Sequence, residues 1–160
     1  MDHIDIRLAV ALDAPSLAAL RYDFRSSNRA AIEEKSKFVE RCAVWMAQNL
    51  KEGSSWQCWV AEHEQNLIGT LWLKLIEKIP NPAAEPECHG YISNFYLSES
   101  WRGQGIGSRL LATVLDWCKS HRVHTVILWP TEQSRRLYER YGFAVHSDLL
   151  ELVIADVYSK

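Results

Sequence analysis

The first part of the chain alternates apolar and polar residues and then changes to a helical spacing. Apolar side chains occupy every second position from residue 4 to residue 10, which predicts a strand. Asp13 stands where a helix would begin, and Pro15 falls in its first turn. Leu17, Leu20 and Phe24 mark the buried side of that helix. A further apolar stripe predicts a second helix over residues 33–50.

The middle of the chain has the pattern of a β-hairpin followed by one more strand. Residues 56–62 and 67–79 are two extended apolar segments with four polar residues between them. Three prolines in residues 80–86 exclude a helix or a central strand there, so this segment is a loop. Residues 90–97 then predict a further strand.

The last third of the chain alternates helices and strands. A strongly amphipathic helix opens with the glycine-rich residues 102–107 and reaches about residue 121. A short apolar strand over 125–129 follows, and then a helix that begins at Pro130 and Thr131 and is ended by Gly142. Two closing strands, over 143–146 and 149–157, are expected around a turn at 147–148.

This order of elements predicts an α/β, or α+β, fold with a mixed sheet, in one domain spanning residues 1–160. A chain of 160 residues is long enough to bury a core without disulfides or metal. Hydrophobic residues make up 48% and charged residues 24% of the chain, which excludes a disordered protein.

Charge and cysteine content exclude several classes of partner and site. Eighteen Lys and Arg against 20 Asp and Glu give a net charge of −2, so nucleic acid is not expected as a partner. No apolar run approaches the ~20 residues that span a membrane, and the charged N-terminus is not a signal peptide. The four cysteines lack metal or redox spacing and predict reduced thiols in a cytoplasmic protein: Cys42, Cys58, Cys88 and Cys118.

The glycine-rich segment is the most informative chemistry in the chain. Gly103, Gly105 and Gly107 connect a strand directly to a helix, and glycines let such a turn approach a ligand closely. The unpaired N–H groups and positive end of the helix would then bind an anion, most naturally a phosphate or pyrophosphate. No Lys follows the last glycine, which excludes a P-loop, and the glycine spacing does not match a dinucleotide-binding fold.

Two motifs in combination resemble the GNAT superfamily of N-acetyltransferases. Arg102, Gly105 and Gly107 form R-x-x-G-x-G, and residues 137–143 match L-Y-E-x-x-G-F, in the expected order. Residues 7–21 also resemble the first strand and helix of these enzymes, so the resemblance covers nearly the whole chain. It implies a GNAT-like central sheet, mixed but mostly antiparallel, of about six to seven strands flanked by about four helices.

The resemblance implies an acetyl-CoA site, with acetyl-CoA as the acetyl donor and no metal. The strand before the turn would pair with the pantetheine arm through its backbone, and the N–H of Leu97 would polarise the thioester carbonyl. Backbone N–H groups of the turn and the helix start would hold the pyrophosphate. The implied cofactor-binding residues are Phe95, Tyr96, Leu97, Arg102, Gly103, Gln104, Gly105, Ile106, Gly107 and Ser108.

The resemblance assigns an acid but leaves the base open. Tyr138 matches the tyrosine near the coenzyme sulfur and would act as general acid toward the departing thiolate. Some members carry a glutamate on the strand before the glycine turn, where this chain has Tyr91, Ser93 and Asn94. His89 is the nearest imidazole, and an ordered water is the alternative.

The acceptor and the assembly remain open at this stage. The predicted activity is transfer of an acetyl group to an amine by direct attack in a ternary complex. The amine would belong to a small molecule or to a protein or peptide, and a homodimer is left open. A regulatory module that binds acyl-CoA without catalysis is the alternative from another class, favoured by the missing strand carboxylate and opposed by Tyr138. Tryptophans considered for an acceptor pocket are Trp45, Trp56, Trp59, Trp72 and Trp129.

Overall fold

The computed structural model describes residues 3–146 and 148–154. The chain divides between Trp129 and Pro130 into two compact units. The first unit holds the whole sheet and three of the α-helices. Its elements are β1 (Asp5–Leu8), α1 (Ala14–Ser26), α2 (Lys35–Asn49), β2 (Trp56–His63), β3 (Asn66–Glu77), β4 (Cys88–Leu97), α3 (Ile106–Ser120) and β5 (Thr125–Ile127).

The sheet is mixed and mostly antiparallel, as the sequence predicted. Its strands lie in the order β1-β2-β3-β4-β5, and every neighbouring pair is antiparallel except β4 with β5. The β2–β3 hairpin is tighter than the four-residue connection expected from the sequence. Only Glu64 and Gln65 form the turn, with φ of 46° and 64°, which are the left-handed values of a two-residue hairpin turn.

Helices cover both faces of this sheet. Leu17 and Ala18 of α1 and Met46 of α2 are buried in one cluster with Val60 and Trp72 of the strands. The helix α3 packs on β1, β2 and β3. Its Trp117 ring contacts the ring of Trp59, with the centroids 5.4 Å apart. Trp59 is adjacent to Val60 on β2, so its side chain points to the face opposite that of Val60. The α1–α2 face and the α3 face of the sheet are thus distinct surfaces.

Asp13 precedes α1 as predicted, but its side chain makes a different contact from the expected cap. Its carboxylate accepts hydrogen bonds from the Val10 N–H at 2.8 Å and from both terminal nitrogens of Arg7 at 2.8 and 2.9 Å. The Arg7 Nε also donates to Glu62 on β2 at 2.8 Å. Hydrogen bonding to Arg7 lowers the pKa of Asp13, so this carboxylate ties the end of β1 to the start of the helical layer.

The second unit contains the helix α4 (Glu132–Arg140). The Thr131 side chain accepts a hydrogen bond from the Ser134 N–H at its start, and Gly142, with φ of 89°, ends it as predicted. Together with α1, α2 and α3 this gives the four expected helices among the described residues.

The two closing strands were wrongly predicted for the part of this segment that the structure describes. Residues 143–146 and 149–154 form no strand, and the described sheet has five strands rather than six to seven. An apolar segment becomes a strand only where a neighbouring strand accepts its hydrogen bonds, and no described strand pairs with this segment. Leu150 and Ile154 are accordingly 92% and 86% exposed. The predicted turn residue 147 and residues 155–157 lie outside the described residues.

Over residues 3–146 and 148–154, the helices are all too short or too polar to cross a membrane.

Candidate functional site

The strand β4 loses one of its two neighbours halfway along its length. It pairs with β5 at His89, Gly90 and Tyr91 only, whereas its pairing with β3 continues to Leu97. Beyond Tyr91, no described strand lies along the edge that faces away from β3. An extended ligand could therefore add to the sheet along this edge by backbone hydrogen bonds.

A β-bulge interrupts β4 inside this open stretch. Trp72 of β3 lies opposite Ser93, but Thr70 lies opposite Tyr96. Between these two pairs β4 has two residues, whereas β3 has one. Asn94 in the bulge has a left-handed φ of 50°. Bulges of this kind redirect the backbone and the side chains next to them, and they are frequent near active sites.

The backbone after the bulge directs Leu97 toward the open edge. The N–H of Ser98 donates to the carbonyl of Ile68 on β3 at 2.8 Å. Because successive N–H groups of a strand point in opposite directions, that of Leu97 points away from β3. A Cβ on Gly69, which is paired with Leu97, would lie 2.8 Å from the Leu97 Cδ1 atom. The absence of a side chain at Gly69 thus allows Leu97 to hold its position.

A 3₁₀ turn over Glu99–Trp101 connects β4 to the glycine-rich turn. Gly103 and Gly105 have φ of 76° and 79°, a region that costs other residues about 1–2 kcal/mol. A Cβ at either position would meet no atom within 4 Å, so the backbone angle, not crowding, requires glycine there. The turn residues 102–105 are all exposed and leave the space above them open for a ligand.

The side chain of Arg102 fixes the turn to the end of β4. Its Nε donates to the carbonyl of Leu97 at 3.0 Å, and its guanidinium lies 5.7 Å from the centre of the Tyr96 ring. Tyr96 in turn stacks on Phe24 of α1, with the ring centroids 5.3 Å apart. Of the predicted site residues on β4, Leu97 therefore supplies a backbone edge while Tyr96 uses its side chain for packing.

The glycine-rich turn is followed directly by the N-terminus of α3. Gly105 is the N-cap residue and has no side chain to occupy the first N–H groups of the helix. Ile106 is only 3% exposed and anchors the first turn in the core. The N–H groups of Ile106 and Gly107 have no acceptor within the helix and carry its partial positive charge. The structure therefore brings the predicted stretch from Arg102 through Gln104 to Ser108 together at a helix start beside the open edge of β4, an arrangement that suits an anion.

Tyr138 lies in the second unit, where it is the buried residue of the helix α4. The phenol side chain is 6% exposed, and its ring packs edge-on against Phe143 with the centroids 5.5 Å apart. Burial raises the pKa of Tyr138 to about 12. The group is therefore fully protonated at neutral pH and can donate a hydrogen bond.

His89, the imidazole nearest to the expected base position in the sequence, does not lie at the bulge, and neither do two further acidic residues that could act as a base, Glu62 and Glu77. His89 is five residues before Asn94 along β4, about 16 Å away at 3.3 Å per residue. It stacks on His124, and burial, with smaller contributions from Lys78 and His124, lowers its pKa. Glu62 is engaged by Arg7, and Glu77 is exposed at the end of β3. None of these three residues is therefore in place to take a proton from an amine at the bulge.

The tryptophans divide between core and surface. Trp45, Trp56 and Trp72 pack against one another, with ring centroids 5.6–5.9 Å apart, and belong to the α1–α2 face. Trp59 is buried against α3. Trp129 is 58% exposed and contacts the Tyr91 ring edge-on, so among these five it is the one beside the point where β4 and β5 separate.

Sequence reasoning did not assign a role to one residue that reaches the bulge. The Nη1 of Arg21, on α1, donates to the Asn94 Oδ1 at 3.3 Å. Its signal in the sequence is a charged residue four positions after Leu17, on the buried side of the helix.

Over the described residues, no group of three or more His, Cys, Asp or Glu side chains could hold a metal ion.

Comparisons with known proteins agree with this geometry. The model of the acetyltransferase (GNAT) family matches residues 17–143. A glucosamine 6-phosphate N-acetyltransferase of Trypanosoma brucei brucei is 32% identical over 63 residues, which are 39% of this chain and 43% of that protein. The chain thus matches less than half the length of this relative.

Solved structures share the fold over almost the whole chain. A predicted acetyltransferase from Clostridium acetobutylicum, solved with acetyl-CoA, has a TM-score of 0.77 at 21% identity and covers 94% of this chain and 96% of its own. A GCN5-related N-acetyltransferase from Ralstonia eutropha has a TM-score of 0.75 at 23% identity, covering 96% of this chain and 100% of its own.

Proposed function

The chain belongs to the acetyltransferase (GNAT) family, and on this premise we propose that it is an acetyl-CoA-dependent N-acetyltransferase acting on a primary amine of a small molecule. The observation that carries the proposal is the open edge of β4, which leads through the glycine-rich turn to the unpaired N–H groups at the start of α3. The name of the trypanosomal relative, a glucosamine 6-phosphate N-acetyltransferase, favours a small-molecule acceptor over a protein.

Acetyl-CoA binds along this path as the second substrate. Its pantetheine arm adds to the backbone of Phe95, Tyr96 and Leu97 as a further strand. Its pyrophosphate accepts hydrogen bonds from N–H groups of residues 103–108, because the Arg102 N–H already donates to the Glu99 carbonyl at 3.2 Å. The exposed turn and the bare N-cap at Gly105 fit this role, because no side chain blocks the approach.

The reaction is a direct attack of the amine on the thioester carbonyl. The amine nitrogen forms a C–N bond, negative charge develops on the carbonyl oxygen, and the N–H of Leu97 stabilises that charge. The C–S bond then breaks, the sulfur leaves as a thiolate, and the amine loses one proton to solvent. The products are an N-acetylated amine and free coenzyme A.

Tyr138 stabilises the departing sulfur. A phenol with a pKa of about 12 is a weaker acid than a thiol, whose pKa is about 8.5. Complete proton transfer to the thiolate would therefore be uphill by about 5 kcal/mol. Tyr138 accordingly donates a hydrogen bond to the sulfur as charge develops there, which retains the acid role predicted from the sequence in a weaker form.

We further propose that residues 1–160 act as one acetyltransferase domain in the cytoplasm. The family match runs across the boundary between the two units, which supports a single functional domain. All four cysteines are free thiols, which fits a reducing compartment.

The test is a thiol-release assay with acetyl-CoA and a panel of amines that includes amino sugars, amino acids, polyamines and lysine peptides. We expect release of coenzyme A with at least one small amine, together with tight binding of coenzyme A in calorimetry. Acetylation of peptides alone would assign a protein acceptor. Tight binding without transfer to any amine would instead identify a regulatory acyl-CoA-binding module.

A further inference from the structure

Arg21 brings a positive charge from α1 to the bulge of β4. It lies one turn after Leu17, which is fully buried, so its side chain leaves the helix toward the sheet. The residue is partly buried, and the hydrogen bond from its Nη1 to the Asn94 Oδ1 is long, at 3.3 Å. A neutral amide oxygen at that distance does not neutralise a guanidinium.

The charge of Arg21 has no counter-ion in residues 3–146 and 148–154. No carboxylate of these residues pairs with it, whereas Arg7 pairs with Asp13 and Arg41 pairs with Glu33. Burial lowers the pKa of Arg21, and so does the like charge of Arg25 one helical turn further on. A half-buried cation beside a second cation is unfavourable in the free protein. An arrangement of this kind is typical of a site that a ligand of opposite charge completes.

The position of Arg21 relative to the two faces of the sheet identifies the substrate it would meet. The proposed path of acetyl-CoA runs along the edge of β4 and over the start of α3. The helix α3 covers one face of the sheet. Arg21 reaches Asn94 from α1, on the opposite face, next to the backbone that would hold the thioester. An acceptor that arrives from the α1 side therefore passes Arg21 before its amine reaches the thioester carbonyl.

We propose that Arg21 binds an anionic group, a phosphate or a carboxylate, on the amine acceptor and so determines which amines are acetylated. This inference rests on the proposed acetyltransferase function and names the substrate class of the same site. The planar guanidinium matches both anions through paired N–H donors, which a lysine at this position would not reproduce. Arg25, four residues on along the same helix, adds to the positive potential that attracts such an acceptor.

The experiment compares acceptors that differ only in the anion. One pair is glucosamine and its 6-phosphate, and the other is β-alanine and its amide. We expect the wild-type protein to have a higher kcat/KM for the charged member of one pair than for its neutral member. The pair that shows this preference identifies the anion that Arg21 binds, phosphate or carboxylate. Arg21→Gln should lower kcat/KM for the charged member by about 10- to 150-fold, the value of one charge-assisted hydrogen bond, without lowering it for the neutral member. Arg41→Gln is the matched control, because it removes an equal charge that Glu33 already neutralises.

Two results would overturn the proposal while the acetyltransferase function stands. One is an equal loss on charged and neutral amines in Arg21→Gln, and the other is no loss on either. If no amine is acetylated, the proposed function fails, and calorimetry then tests whether Arg21 binds an anion. Glucosamine 6-phosphate, β-alanine and inorganic phosphate are then titrated into the coenzyme A complex. Binding to the wild type that Arg21→Gln abolishes supports the anion site, whereas equal binding or no binding to either protein rejects it. If Arg21→Gln does not fold, Arg21→Lys takes its place, with a smaller loss of the same sign expected.

Discussion

Replacing Gly105 with Ala separates the backbone requirement of the glycine turn from its role in binding. Gly105 has φ of 79°, where a Cβ costs about 1–2 kcal/mol, but no atom lies within 4 Å of the place the Cβ would take. We therefore expect Gly105→Ala to fold, with a free energy of unfolding lower by about 1–2 kcal/mol. For a chain of this length, that loss lowers Tm by about 2–8 °C.

Gly53 provides a matched control for this variant. It has φ of 78°, and a Cβ there would also meet nothing within 4 Å, but it lies in the connection between α2 and β2, away from the helix start. Gly53→Ala should therefore lose a similar amount of stability. Any difference in ligand binding between the two variants then reports on the turn itself.

The binding measurement is a calorimetric titration with coenzyme A at a temperature where both variants are folded. The new methyl group at Gly105 enters the space proposed for the pyrophosphate and costs at least one charge-assisted hydrogen bond. We expect Kd to rise by about 10- to 150-fold for Gly105→Ala, corresponding to about 1.5–3 kcal/mol. Gly53→Ala should leave Kd unchanged. Equal coenzyme A affinity in the two variants, at equal stability loss, would refute the placement of the pyrophosphate.

Three further predictions concern single side chains. Tyr138→Phe should reduce kcat by about 10²-fold with little change in the Kd for acetyl-CoA, and an unchanged kcat would make Tyr138 a packing residue. The kcat of the wild type should show no loss from phenol ionisation up to about pH 10, because the pKa of Tyr138 is raised to about 12. Burial raises the pKa of the Cys58 thiol to about 12 and that of Cys118 to about 11, so both should react with a disulfide reagent far more slowly in the native protein than in denaturant, and prompt native labelling would contradict this. The pKa of Asp13 is lowered by Arg7, so its stabilising effect is complete above the unfolded value near 4 and is lost as the pH falls through the lower folded value. Urea titrations should accordingly show Asp13→Asn destabilised by about 1–3 kcal/mol at pH 7 and equal to the wild type near pH 2, whereas a constant difference would exclude this linkage.

The elements that the sequence predicted well are those whose signals are local. Helical spacing located α1, α2, α3 and α4 to within a few residues, and Gly142 ended the last of them. The glycine turn was placed because its left-handed angles at Gly103 and Gly105 require glycine itself. These features depend on residues close together in the sequence, so a single sequence contains the information.

The features that were missed depend on contacts between distant segments. Residues 149–154 form a nearly continuous apolar run that is typical of a strand, but whether such a segment pairs is decided by a partner elsewhere in the chain. The bulge at Asn94 interrupts a run that reads as one regular strand, since it arises from a register shift against β3. Arg21 and Asn94 are 73 positions apart, and no local pattern indicates that they meet.

The bulge at Asn94 has a consequence for how this strand can change in evolution. Up to Ser93 the odd-numbered residues of β4 face α1 and α2, and after the bulge the even-numbered Tyr96 does so. Deleting one residue at the bulge would leave a single residue opposite Leu71 and restore a regular ladder, with Tyr96 still opposite Thr70 and Leu97 still opposite Gly69. The strand would then lose the bend and the added twist of the bulge, so the edge that Leu97 offers would take another direction. Homologues of this chain are therefore expected to favour Asn, Asp or Gly at position 94, where φ is left-handed, and to tolerate neither an insertion nor a deletion between Ser93 and Leu97.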